Sequence, residues 1–504
     1  MQDAILIFPH QLFHYDYFKI IAEHHKCKLF WFVEHPKFYK FLHKTKYTLL
    51  HAAIAFFKDD FSKKMPEYNL KVLQKDQFDS KFGTILSSFN VIVYDPADYE
   101  IMKQITNSTN HIIYASPMFI LDPMLRSEFI SDVKSNSKYT FDDFFAKCSV
   151  LLGITDDEQS ENETKTKTKT KTKTKTKTIK NKKIVPCDTA RQDMIAEFQE
   201  EEVYRVTHYN KNKTKIGRLY WNQAVEEAEK NAFDVTSNTL ITRRYAINHA
   251  EASWELQRFI MIFLPNFAEY QRFIDEENSR MNHSWLSAYL NIGLLTPIYV
   301  ICCIDEAFRK GEIPHLSYYE FIKSLFYREY IYIIYRAFGE SELPNHLQAT
   351  KKINWDSGQW TDGSKGVGLF NVDMAISRAQ KYGYLHDSER SMIMANFMMM
   401  CDITPAEMKK WFLSMFVDSN EWVVWGNLFL LDAAKCSSDK YLLSISSFSN
   451  GKNKWVYKWR ILYHAFIGAK AKIIGKEWVE HWKSIENQQD ILRDANLLKN
   501  MVVV

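Results

Sequence analysis

Between Thr164 and Thr178 threonine and lysine alternate without interruption, and Lys180, Lys182 and Lys183 prolong the charge. A period of two is a strand's period, but neither face of this stretch carries an apolar side chain, so folding would bury nothing. Together with the acidic Asp156-Asp157-Glu158 ahead of it, the segment 151–189 is predicted to be a disordered linker. It divides the chain into an N-terminal piece, 1–150, and a C-terminal piece, 190–504. A flexible polycation can gather DNA regardless of base sequence. An expanded repeat in a tolerant loop explains the same residues without a function, and is preferred.

The N-terminal piece alternates two periodicities. Short apolar runs, Ala4–Phe8, Cys27–Val33, Leu70–Leu73, Val91–Tyr94 and His111–Ala115, are separated by amphipathic stretches such as Tyr47–Phe61. Strand, helix, strand at this spacing predicts a Rossmann-like α/β domain built on a parallel sheet. Ligands of such sheets bind beyond the carboxyl ends of the strands. Those ends carry Pro9-His10-Gln11, Glu34-His35-Pro36 and Asp95-Pro96. No glycine-rich phosphate loop follows any strand, which argues against a dinucleotide or nucleoside triphosphate there.

Beyond residue 190 the pattern is helical. Apolar residues recur at helical spacing in Thr242–Ile260, Tyr318–Phe338, Met374–Tyr382, Ser388–Met400 and Glu407–Phe416, with boundaries marked by Pro265, Gly293, Pro297, Pro314, Pro344, Gly363 and Pro405. The expectation is an all-α domain. Seven cysteines with no Cys-x-x-Cys spacing fit a reduced, intracellular chain. The first residues lack the basic region of a signal peptide, and no apolar run is long enough to span a bilayer. A soluble, monomeric protein is expected. The net charge of +4 owes much to the Thr-Lys repeat and says little about a polyanionic partner.

Four segments place polar groups where apolar ones surround them. Gly383-Tyr-Leu-His386-Asp387-Ser-Glu-Arg390 breaks a helical pattern; Ser284-Trp-Leu286-Ser287 precedes Ala288-Tyr-Leu-Asn-Ile-Gly293; Tyr327-Arg328-Glu329-Tyr330 lies in an aromatic helix; and Asp418-Ser-Asn-Glu421-Trp422-Val-Val-Trp425-Gly-Asn427 follows Trp411–Val417. Each has a plain structural reading: a satisfied polar network, a serine helix cap, a partly buried ion pair, tryptophans in a core.

Taken together and in order, these segments resemble the photolyase/cryptochrome family, in particular its deoxyribodipyrimidine photolyase-related branch. Leu6-Ile-Phe-Pro-His-Gln-Leu12, Val33-Glu-His-Pro36, His43-Lys44 and Leu50-His51-Ala52-Ala53 match that branch too, so the likeness runs through nearly the whole chain. The resemblance implies an antenna-type α/β domain, which could carry an antenna chromophore, a linker and a helical FAD-binding domain. It implies FAD contacts from Ser284, Leu286, Ser287, Arg328, Arg390, Asp418, Glu421 and Asn427. His386, Asp387 and Glu329 would stand near flavin and lesion, and UV-damaged DNA would be the partner. The activity implied is light-driven repair of pyrimidine photoproducts, by electron transfer from reduced flavin to a nucleotide flipped from the duplex. A cryptochrome-like light sensor and a diverged homologue without repair activity are the alternatives.

This chain departs from the branch at two places. Where the branch carries cysteines for an iron–sulfur cluster, this chain offers Asn371 and, downstream of Asn427, the single Cys436, so no cluster is expected. Asp387 stands where the branch has the second histidine of a pair. An ionised carboxylate accepts hydrogen bonds and cannot donate the proton an imidazolium would, so repair of (6-4) lesions by the usual route is not expected.

Overall fold

The computed structural model describes residues 1–108, 110–136, 138–152, 213–232, 245–271, 279–280, 282–360, 365–435 and 454–504. The Thr-Lys segment and Cys436 lie outside them. The N-terminal piece forms five parallel strands, β1 (Gln2–Ile7), β2 (Leu29–Val33), β3 (Asn69–Leu73), β4 (Phe89–Tyr94) and β5 (His111–Tyr114), in the order β3-β2-β1-β4-β5. Each sits within a few residues of its apolar run. The runs are continuous because the central strands are covered on both faces: Ala4 to Ile7 of β1 and Val91 to Val93 of β4 have no exposed surface. The edge strands β3 and β5 are partly exposed, at Val72 and Ile112 respectively.

Strand order reverses beside β1, since β2 and β3 lie on one side of it and β4 and β5 on the other. A crevice opens at such a switch point, beyond the carboxyl ends of β1 and β4. The helix Lys44–Lys64 flanks the sheet, and His43 caps it through Nδ1, which accepts from Thr45 N–H at 3.2 Å.

The rest of the described chain is helical, as expected. Its longest member, His315–Phe338, buries Phe326, Tyr330, Tyr332 and Tyr335. One apolar cluster runs without a break from Ile5, Phe30 and Phe57 of the α/β layer to Leu325, Ile333 and Trp425 of the helical layer. The helical layer therefore seals one face of the sheet's own core. A second cluster, around Trp360, Trp411, Met394 and Trp459, lies wholly within the helical region. The Met-rich stretch fills this second core, with Met394, Met398 and Met400 almost without exposure. No described helix is long and apolar enough to cross a membrane.

Candidate functional site

The helix break foreseen at Gly383-Tyr-Leu-His depends on the glycine. Gly383 closes the helix Phe370–Tyr382 in the left-handed conformation, φ +60°, and its carbonyl accepts from Val417 N–H at 2.9 Å. A Cβ there would meet Thr45 and Val417 at 3.1 Å, so both conformation and space favour glycine. The chain then resumes as a π-helix, Glu389–Ala395, instead of the expected α-helix. Such widened turns recur at functional sites. The sequence carried no sign of this one, since one inserted residue leaves an apolar pattern almost unchanged.

The break brings Arg390 to Asp418. Nη2 of Arg390 donates to both carboxylate oxygens, at 2.9 and 3.1 Å, and Nε donates to the Leu385 carbonyl at 2.8 Å. The guanidinium lies over the rings of Tyr384 and Phe416. Ser287 adds a third hydrogen bond to the Asp418 carboxylate, its hydroxyl donating to Oδ2 at 2.7 Å. Ser287 was expected to help cap a helix. Its helix is a single turn, Ser287–Leu290, with no side-chain cap, so the hydroxyl serves Asp418 instead. Ser284 Oγ accepts from Leu286 N–H at 3.3 Å, a local turn that keeps the hydroxyl hydrogen for another acceptor. Leu286 is buried in the core.

Between these two serines Trp285 adopts φ +57°, a conformation unusual for a bulky residue. It turns the indole beside Tyr384 and Tyr382, and its buried N–H has no hydrogen-bond acceptor among the described residues. His386 stacks on His283 with ring centroids 3.5 Å apart and planes 4° from parallel. Asp387 is exposed to solvent at the surface, with surrounding protein close enough to act on its charge. Partial desolvation by that protein pushes its carboxyl up from the ordinary value, with Arg390 opposing.

Three expected residues point elsewhere. Arg328 and Glu329 are neighbours, yet Arg328 Nη1 and Glu329 Oε1 are 3.8 Å apart and each finds other partners. Arg328 donates to Asn291 Oδ1 through Nε and Nη2, at 3.1 and 3.0 Å, and to the Met118 carbonyl. Glu329 is buried and accepts from Leu121 N–H at 3.3 Å. Burial pushes its carboxyl up, against the pull of Arg328 and Arg126. Glu329 thus ties the helical layer to the α/β layer. Asn427 stays on its helix, donating to the Val423 carbonyl at 2.8 Å and accepting from Tyr327 at 3.4 Å. Trp422 packs against Phe119 and Tyr332, and Trp425 on Phe429, both inside the shared core.

Glu421 belongs to a second place, the crevice at the switch point. A cavity of about 220 Å³ opens there, lined among others by His10, Lys37, Lys46, Asp98, Glu421 and Trp422. Glu421 pairs with Lys409 at 2.9 Å, and Lys37 with Asp98 at 2.6 Å. His10 donates through Nε2–H to the Pro96 carbonyl, 2.6 Å away, and burial pulls its value down to about 4. Lys46 reaches from the helix Lys44–Lys64 to the end of the helix Pro405–Met415 and the turn after Asp418, donating to the carbonyls of Leu413 and Ser419 and to Ser419 Oγ at 2.5, 2.8 and 2.9 Å. Burial pulls it down to about 7.

Asn291, His283, Trp285, Tyr384 and Lys46 were not singled out in the sequence. Asn291 is the clearest omission: it links Arg328 to Asp418, whose carbonyl accepts from its Nδ2 at 2.6 Å. A lone asparagine within an apolar run is a signal that could have found it, because a buried amide needs partners.

The donor set suits a large aromatic anion such as a dinucleotide flavin. It combines an unsatisfied indole N–H, a serine hydroxyl with a hydrogen to give, a fixed guanidinium and the aromatic surfaces of Trp285 and Tyr384. Among the described residues no group of three or more His, Cys, Asp or Glu could hold a metal ion.

No protein-family model matches the chain. A (6-4) photolyase of Agrobacterium fabrum is 28% identical over 180 residues, which is 36% of this chain and 35% of that protein. The match thus spans about a third of the length of that relative. Two uncharacterised proteins of Acanthamoeba polyphaga mimivirus are 33% identical over 115 residues, 23% of this chain and 85% of theirs, and 31% identical over 121 residues, 22% and 98%. A bacterial class III photolyase from Agrobacterium tumefaciens shares the fold with a TM-score of 0.53 at 15% identity, covering 99% of this chain and 98% of that one. A Synechocystis cryptochrome does so with a TM-score of 0.54 at 10% identity, covering 99% of each.

Proposed function

We propose that this chain, which shares the fold of photolyases and cryptochromes and a partial sequence likeness to a (6-4) photolyase, is a member of that family, a flavin-dependent, light-driven photolyase acting on UV-damaged DNA. The observation that carries this reading is the network of Arg390, Asp418, Ser287 and Asn291, closed by Trp285 and opening at His386 and Asp387. FAD, when bound, supplies light-driven one-electron chemistry. The protein's part is to hold and orient it. Ser284 and Ser287 would serve the phosphates, and Arg390, fixed by Asp418, would place a positive charge beside the ring system. Trp285 and Tyr384 would cover it from water. The cavity at the switch point, lined by His10, Lys37 and Trp422, would be the place for an antenna chromophore.

Absorption tests the first step. Protein purified or reconstituted with FAD should show the paired near-ultraviolet and blue bands of an oxidised flavin, and no bands after reconstitution would leave only a diverged homologue. Light-dependent restoration of a UV-damaged oligonucleotide tests the second. Asp387 favours one alternative, a light sensor that binds flavin and repairs nothing, because a carboxylate there would disfavour an incoming phosphodiester. We expect repair of (6-4) lesions to be weak and Asp387→His to raise it. If the unaltered protein repairs them well, activity should fall as pH rises through the elevated value of Asp387, marking its protonated form as the acid.

A further inference from the structure

We infer that His283 is a positioning residue that holds His386 as a neutral imidazole with its proton on Nε2, so that His386 serves the site as a hydrogen-bond donor and not as an acid. Two contacts carry this. The rings stack face to face at 3.5 Å with planes 4° apart, a geometry that two imidazolium ions would not hold. The backbone N–H of Ser388 donates to His386 Nδ1 at 3.3 Å, so Nδ1 is the acceptor and the single proton of the neutral ring lies on Nε2. A second proton would have to go onto Nδ1, opposite a hydrogen already aimed at it.

The charges around the ring act in the same direction or are already engaged. Burial disfavours a cation on His386 first of all, and His283 and then Arg390, one turn further on, act the same way. Glu389 could have offset this, but its Oε1 is paired with Arg378 at 2.6 Å and its Oε2 accepts from the backbone N–H of His386 at 3.2 Å. Asp387 is itself pushed toward its protonated form. Burial draws His283 down to about 4, with the carbonyls of Gln271 and Tyr270 opposing, so it adds an uncharged ring to the stack near neutral pH. The functional part rests on reading the Arg390–Asp418 network as the flavin and substrate site: Nε2–H then offers a hydrogen bond to a carbonyl of the ligand, and no proton is delivered.

The test is the state of the ring itself. In the full chain with ¹⁵N-labelled histidine, two-bond imidazole spectra recorded across pH should show His386 as the Nε2–H tautomer, protonating only below the ordinary value of about 6.5. His283→Ala should move that midpoint up toward the ordinary value, while His283→Phe, which keeps a ring in the stack, should leave it low. An Nδ1–H tautomer in the unaltered protein, a midpoint at the ordinary value, or a midpoint unmoved by His283→Ala would each overturn the inference. Should His283→Ala fail to fold, the tautomer and midpoint of the unaltered protein still decide. The spectra need no flavin, so a negative absorption experiment and a failure of this inference are separate results.

Discussion

Two arginine–carboxylate arrangements in this protein look alike on paper and differ in space. Arg328 and Glu329 are adjacent in a helix, where consecutive side chains point about 100° apart and do not face each other. Their charges are 3.8 Å apart, and each is drawn off, Arg328 to Asn291 and Met118, Glu329 to Leu121. Arg390 and Asp418 are 28 residues apart and meet at 2.9 and 3.1 Å. The neighbours fasten two layers of the fold together. The distant pair builds a charged centre beside the exposed Asp387. Adjacency of opposite charges in sequence is therefore poor evidence of a pair, and distance poor evidence against one.

This contrast can be broken experimentally, beginning with the buried anchor. Glu329→Ala would leave Arg126 and Arg328 without their shared counter-charge and Leu121 N–H without an acceptor, and should cost about 3–5 kcal/mol in denaturant unfolding. A loss under about 1 kcal/mol would mean that the two layers do not depend on it. Next, Asp418→Ala removes the acceptor of both Arg390 and Ser287. We expect FAD retention to fall by at least tenfold, equivalent to the loss of a charge-assisted hydrogen bond of about 1.5–3 kcal/mol. Equal flavin content in this variant and the parent would detach the pair from the cofactor. Replacing Ser284 and Ser287 together by alanine should weaken retention less if their main role is to brace Asp418, and as much if they reach phosphate, so the two variants rank the contributions.

Lys46 offers a gentler probe, read as a slope. Its folded-state value is depressed to about 7 from 10.5, so between those values the unfolded chain binds a proton that the folded chain does not. Stability should therefore rise with pH across that window, and Lys46→Met should flatten the rise. An unchanged slope would show that Lys46 stays charged between its three oxygen acceptors. The smallest effect is expected from deleting Thr164–Thr178: with no apolar residue to bury, the segment should leave the unfolding midpoint where it was. If it gathers DNA, deletion should flatten the salt dependence of binding for every DNA sequence alike.

The strands β1, β2 and β4 could be found in the sequence because their apolar runs are buried on both faces, and the edge strands β3 and β5 because shorter apolar runs recur at the same strand–helix spacing. The helices His315–Phe338 and Pro405–Met415 were visible for the matching reason, an apolar face at helical spacing. Gly383 announced its turn, since few other residues accept both its conformation and its neighbours. The sequence also named Arg390, Asp418 and Ser287, through their order in a resemblance. It gave no means of pairing them, because the partners lie on separate segments and only packing sets their distance. Tertiary structure alone decided that Glu421 belongs with the switch-point cavity, that Glu329 turns toward Leu121, that Asn291 links two arginine sites, and that His283 and His386 share a stack. The cause is the same in each case: a run of residues fixes what must be buried, whereas the partner of a buried charge is whichever group the assembled layers bring within a few ångströms of it.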